Sequence, residues 1–172
     1  MNPIYKTVES LDWMTIALFL SLVVLALGKY LFQNKFLSFI ILPFNNRYTV
    51  VYNKKGRLLS WFQMLLTIFQ LVNFSLFLFL IQKTFSIIQL DGQLSSFFKI
   101  MGVLVLFQLV KMSLQYAKGF VFNTQAMISE LLFTKISYLN YSSLVMFLTN
   151  VILIYIIKDS KMIISFALAL IV

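Results

Sequence analysis

Any chemistry in this chain has to come from very few residues. Among 172 amino acids only five are acidic, Glu9, Asp12, Asp91, Glu130 and Asp159. They stand singly, so no pair is spaced for two-carboxylate catalysis or for a metal cage. The chain has no Cys and no His. That removes disulfides, thiolate chemistry and zinc or iron–sulfur sites, together with the commonest general base and haem ligand. The glycines at 28, 56, 92, 102 and 119 never cluster into a phosphate-binding loop. No catalytic set, cofactor or metal is expected. An enzyme would have to work with Glu130 or Asp91 near an interface, and that reading ranks below a binding or structural role.

The polar groups worth weighing are those set within apolar stretches. Gln63, Thr67 and Gln70 follow one another at spacings of four and three, which is one face of a helix, with Asn73 at its edge. Gln108, Lys111 and Gln115 form a second such face, and Asn150 stands alone in a third stretch. The amides could line a polar path or join helices by hydrogen bonds, worth about 0.6 kcal/mol each on average. Lys111 could hold an anionic lipid or an ion. The simpler reading is that it snorkels, because headgroups at the near end of its helix lie within reach of its stem. With no acid inside any apolar stretch, a carboxylate proton relay is not expected. A last group, Arg47, Lys54, Lys55 and Arg57, makes a compact basic patch able to meet anionic lipid or an acidic partner, or to set topology alone.

These groups need a scaffold, and the composition dictates its solvent. Apolar residues make up 61% and charged residues 11%, against roughly 45–50% and 25% in average proteins. A soluble fold of this size has too little interior to hide so much apolar surface. The expected fold class is an all-α integral membrane protein, a polytopic helical bundle in a single domain, 1–172. The net charge of +9 does not point to nucleic acid, since the basic residues interrupt apolar runs instead of forming a soluble basic face.

Four full spans are expected at about 11–32, 58–81, 97–116 and 139–157, each close to the 20 or so residues a bilayer requires. Ala26-Leu27-Gly28 has a weak cleavage-site look, but Glu9 and Asp12 stand where a signal peptide is basic, so the first span reads as retained. Residues 162–172 are apolar to the end and read as a fifth span cut short. Between spans 1 and 2, Phe36 to Phe44 is too short to cross and contains Pro43, which suggests an interfacial or re-entrant segment. Arg47 to Gly56 reads as a short hairpin. Ala117 to Lys135 places Phe120, Val121, Met127, Ile128, Leu131 and Leu132 on one side, with Asn123, Ser129 and Glu130 on the other. This suggests a separate amphipathic surface helix before span 4. The phenylalanines at 74, 77, 79, 97 and 98 read as packing or lipid-facing residues.

Orientation follows from the 14 basic residues. With the N-terminus outside, nine lie inward (Lys29, Lys35, Arg47, Lys54, Lys55, Arg57, Lys111, Lys118 and Lys135). Five lie outward (Lys6, Lys83, Lys99, Lys158 and Lys161). The positive-inside rule therefore places the N-terminus in the periplasm.

Two stretches, Phe39-Ile-Ile-Leu-Pro-Phe-Asn-Asn-Arg-Tyr48 and Phe133-Thr-Lys-Ile-Ser-Tyr-Leu-Asn-Tyr-Ser-Ser-Leu144, with Asn150, Tyr155 and the opening Glu9-Ser-Leu-Asp-Trp13, carry a resemblance. Together they resemble a family of small multi-span inner-membrane proteins of Bacteroidota, catalogued as a domain of unknown function. The resemblance implies a bacterial inner-membrane location, assigns no activity and offers no catalytic residues. By association it suggests an envelope task such as type 9 secretion or gliding. The expected role is a non-enzymatic membrane subunit or scaffold of a cell-envelope assembly, contacting membrane lipids and other membrane or envelope proteins. The alternative is a small transporter or lipid-handling protein using the amide-rich faces around Lys111.

Overall fold

The computed structural model describes residues 12–44, 60–85, 92–156 and 161–171. Its helices are α1 (Asp12–Leu31), α2 (Gln33–Ile40), α3 (Trp61–Phe85), α4 (Gln93–Val121), α5 (Gln125–Val151) and α6 (Lys161–Ile171), with one π-helical segment, Ile152–Ile156, continuing α5. Among the described residues four helices are long and apolar enough to cross a membrane: α1, α3, α4, and α5 with its π segment. This is the expected polytopic bundle and marks the chain as a membrane protein.

The helix ends are set by local chemistry. Ser60 caps α3: its Oγ accepts the Gln63 backbone N–H at 3.2 Å, a standard way to satisfy a free first-turn donor. The expected start at 58 therefore moves to Trp61. α4 ends at Val121 through Asn123, whose φ of 53° is left-handed. The Thr124 N–H donates to Gly119 O at 2.9 Å and the Asn123 N–H to Phe120 O at 3.3 Å, the paired bonds of a Schellman motif. Gly119 allows the close approach there, because a Cβ would meet Ile128 Cγ1 at 3.1 Å and Ile128 Cβ at 3.2 Å.

Two expectations about the linking segments change. The stretch from Phe36 is helical and starts earlier, at Gln33. The helix stops before Pro43, which has no N–H to continue it. Phe36, Phe39 and Leu42, at intervals of three, bury themselves against Phe62, Leu66 and Phe133. The separate amphipathic helix before span 4 is not found. Its first residues complete α4 and the rest begin α5, which runs unbroken from Gln125 to Val151. The sides also differ from the expected division, since Leu132 is buried while Phe120, Val121, Met127 and Leu131 are exposed. The physical reason is that an apolar run ends where charge begins, at Glu130 and Lys135, but helical hydrogen bonding continues through both. The expected hairpin at 47–56 lies outside the described residues.

α3 is the central helix. It packs most extensively on α5, and then on α1 and α4. α1 runs antiparallel to it. At one end Trp13 lies edge-on to Phe79, with centroids 5.1 Å apart, and against Phe97 at 5.4 Å. Its indole N–H donates to Gln93 Oε1 at 3.2 Å. At the other end Phe32 meets Phe62 at 5.8 Å. α3 and α5 run parallel, since contacts between them advance in step along both chains: Gln63 with Ser137, Phe69 with Phe147, and Asn73 with Asn150.

The π segment turns both Leu153 and Ile154 inward. Its extra residue per turn shifts the register of the side chains that follow. The Tyr155 hydroxyl then reaches α1, donating to Thr15 Oγ1 at 2.7 Å. α6 joins the same end through buried Ile164 and Ala167.

Candidate functional site

The polar groups singled out by spacing fall into two different environments. On α3, the positions 63, 66, 70, 73, 77 and 80 alternate in steps of three and four. They hold Gln63, Leu66, Gln70, Asn73, Phe77 and Leu80, all buried. On α5 the series 133, 136, 140, 143, 147, 150 and 154 repeats the same steps, with Asn140, Ser143 and Asn150 among its buried members. This is the seam of a coiled coil, and its middle carries amides and hydroxyls where a soluble seam is apolar.

Hydrogen bonds cross the seam at two levels. The Gln63 amide donates to Ser137 Oγ at 3.4 Å. The Asn150 amide donates to Asn73 O at 3.0 Å. Most other donors turn back on their own helix. Asn73 Nδ2 donates to Phe69 O at 2.8 Å, and the hydroxyls of Thr67, Ser75, Ser137, Ser143 and Thr149 each donate to a backbone carbonyl one turn earlier. Among the described residues, Gln70 Oε1, Asn73 Oδ1, Asn150 Oδ1 and both side-chain polar atoms of Asn140 are buried with no hydrogen-bond partner.

Dry layers close this belt above and below. On the side of Trp13 lie Leu76, Phe77, Phe79, Leu80 and Phe97. On the side of α2 lie Phe36, Phe39, Phe62, Leu66 and Phe133. The seam contains neutral amides and hydroxyls, groups that bind by hydrogen bonding and do not transfer protons near neutral pH. Among the described residues no three His, Cys, Asp or Glu side chains gather to hold a metal ion.

The second expected face divides. Gln108 and Gln115 are half-buried on the inward side of α4 with Met112. Lys111 is exposed, its ammonium 5.6 Å from the Phe107 ring centroid. Lys111 therefore stands outside the amide seam. Arg47, Lys54, Lys55 and Arg57 lie outside the described residues.

Asn140, Ser137, Ser143 and Thr149 had not been singled out from the sequence, although they supply α5's half of the seam. Their signal is the spacing of 140, 143 and 150, steps of three and seven that fall on the α3 pattern, with 137 and 149 beside that line. Ser21 of α1 is a further buried polar residue, donating to Leu18 O at 2.8 Å.

No curated protein and no solved structure matches the chain. A family model described as a domain of unknown function, DUF4271, matches residues 14–172, from the first turn of α1 through α6. The chain belongs to this family, whose description assigns it no function.

Proposed function

We propose that the protein is a non-enzymatic integral subunit or scaffold of a bacterial cell-envelope assembly, one that holds a partner protein, anionic lipid or both. The observation that carries this reading is the bareness of α4. Among its described residues only Ser96, Phe97 and Gly119 are buried, against eleven in α3. Val103, Leu106, Phe107, Leu109, Val110 and Leu114 all face outward. A long apolar helix with most of its girth uncovered offers a surface to acyl tails and to another membrane helix alike.

The charges support a defined orientation. The antiparallel course of α1 and α3 places Lys29, Lys35, Lys111, Lys118 and Lys135 toward the α2 end. Lys83, Lys99 and Lys161 lie toward the Trp13 end. In the sequence, Arg47, Lys54, Lys55 and Arg57 fall between α2 and the start of α3. The α2 end faces the cytoplasm in the inner membrane, with the N-terminus periplasmic, and its basic face meets anionic headgroups at about 1 kcal/mol per residue. A transport path centred on Lys111 gains no support, because that side chain stands away from the buried amides.

The test is affinity purification of the tagged protein in mild detergent, with mass spectrometry of co-purifying proteins and lipids. A stoichiometric membrane or envelope partner, or enrichment of anionic lipid, is expected. A monodisperse monomer carrying neither would reject the proposal. A topology reporter at Lys55 reading periplasmic would reverse the orientation.

A further inference from the structure

The buried amides of the α3–α5 seam present a donor shortage. Asn73 and Asn150 are fully buried and Gln70 is 5% exposed. The orientation of both asparagine amides is forced. Asn73 Nδ2 lies against Phe69 O and Asn150 Nδ2 against Asn73 O, and a flipped amide would set oxygen against oxygen. Each Oδ1 therefore points where no donor among the described residues reaches it. Gln70 sits one turn before Asn73 on the same face, about 4.5 Å along the axis, and its Oε1 is orphaned as well.

Three such acceptors, two on α3 and one on α5, thus fall within one turn of the seam. Nearby Thr149 and Ser75 direct their hydroxyl protons to Val145 O and Leu71 O. Buried carbonyl oxygens are rarely left without a donor, so the guest must donate.

Two guests can meet bare acceptor oxygens: water, which donates up to two O–H bonds, and a small cation, which coordinates the oxygens directly. A dehydrated cation requires a full shell of oxygens, about six to eight for Ca²⁺ and rings of carbonyls for K⁺. It also favours a compensating carboxylate. The seam provides three neutral oxygens at this level, and the nearest helix segments carry no acid. Water needs only two to four polar partners.

We propose that Gln70, Asn73 and Asn150 form a binding site for ordered water at the middle of the bundle, closed off by the aromatic layers on either side. Water joins α3 to α5 there, completing the hydrogen bonds that the side chains leave open. The site is independent of the scaffold role above and survives if that role fails.

The test uses the full-length protein in nanodiscs with ¹⁵N-labelled Asn and Gln. Water–amide cross-relaxation is read at the side-chain amides while the bath is changed from Na⁺ to K⁺ to choline. Negative water cross-peaks at the Asn73 and Asn150 amides, unchanged by the cation, are expected. They should be lost at Asn150 in Asn73→Leu. If that variant does not fold, Asn73→Ser should shift the Asn150 cross-peak while keeping it. Absence of cross-peaks in the native protein would overturn the proposal. An unfolding midpoint that rises with Na⁺ or K⁺ over choline would overturn it in favour of a cation site.

Discussion

The α3–α5 seam and the outer face of α4 invert the arrangement of a soluble protein. The seam is enclosed and carries Gln63, Gln70, Asn73, Asn140 and Asn150. The outer face of α4 is open and carries Val103, Leu106, Phe107, Val110 and Leu114. In water this distribution would be unfavourable on both counts. In a bilayer it is the favourable one, because acyl tails solvate the leucines and cannot solvate an amide. Hydrophobicity does not hold such helices together, since lipid is as apolar as leucine. Close packing and hydrogen bonds must do so. The seam is thus where helix pairing is specified, and α4 is where the surroundings are met.

The largest effect should follow from placing a charge in the seam. Asn150→Asp exchanges an amide that donates to Asn73 O for a carboxylate that would repel it. An unpaired charge at this depth costs roughly 3 kcal/mol or more, enough to unfold a marginally stable protein. Folded protein in detergent, assayed by gel filtration, should be lost. Asn150→Leu removes one hydrogen bond and introduces no charge, so it should stay within about 1 kcal/mol of the native protein. Equal yields of the Asp and native proteins would mean that the seam is wet and open, and the contrast with α4 would disappear.

Next in size is a pair of changes within α4 itself. A valine at Gly119 would drive carbon into Ile128, where even a Cβ comes within 3.1 Å. Ile128 is β-branched and stiff in a helix, so making room by shifting it should cost about 1–3 kcal/mol. A Cβ at Gly102 meets nothing within 4 Å, and Gly102→Val should be close to neutral. Thermal unfolding of both variants checks the difference. A destabilisation at Gly102 equal to that at Gly119 would reveal a partner helix already seated on α4.

How far the sequence revealed this division depends on the kind of signal. Apolar run length pointed to the four long apolar helices, and the spacing of Gln63, Gln70 and Asn73 revealed one face of α3. Spacing on one helix does not say which neighbour covers that face, so the role of Asn140 is legible only with α5 packed against α3. Lys111 was grouped with Gln108 and Gln115 because steps of three and four are near neighbours. At about 100° per residue, however, Lys111 is turned about 60° from Gln108, to the rim of the inward arc, and its long stem leads outward. The continuity of α5 was hidden for another reason. Hydropathy reports the solvent around a helix, whereas the Asn123 turn, the actual break, is written in backbone angles.

A smaller effect tests whether the seam's hydrogen bonds are worth what membrane averages suggest. Gln63 and Ser137 share a side-chain bond at 3.4 Å, the long end of the range. A double-mutant cycle with Gln63→Leu and Ser137→Ala should give a coupling of about 0.6 kcal/mol or less. Reversible unfolding in mixed micelles measures it. A coupling above about 1.7 kcal/mol, beyond the largest seen in comparable cycles, would make this contact a principal clamp between the two helices.

The smallest effect is expected at Lys111, and its smallness is informative. The side chain is exposed, rests over Phe107 and stands apart from the amides, so Lys111→Met should leave the folded yield and unfolding midpoint unchanged. What it removes is one positive charge near the α2 end. Binding to vesicles rich in anionic lipid cannot be scored for an integral protein, but retention of anionic lipid through purification can be. Only a slight fall in the anionic fraction is expected, because Lys29, Lys35, Lys118 and Lys135 lie toward the same end and each charge contributes separately near a surface. If Lys111→Met alone stripped the bound lipid, the outer face of α4 would contain a specific headgroup site. The two regions would then differ in the kind of polar recognition they perform, and no longer in whether they perform any.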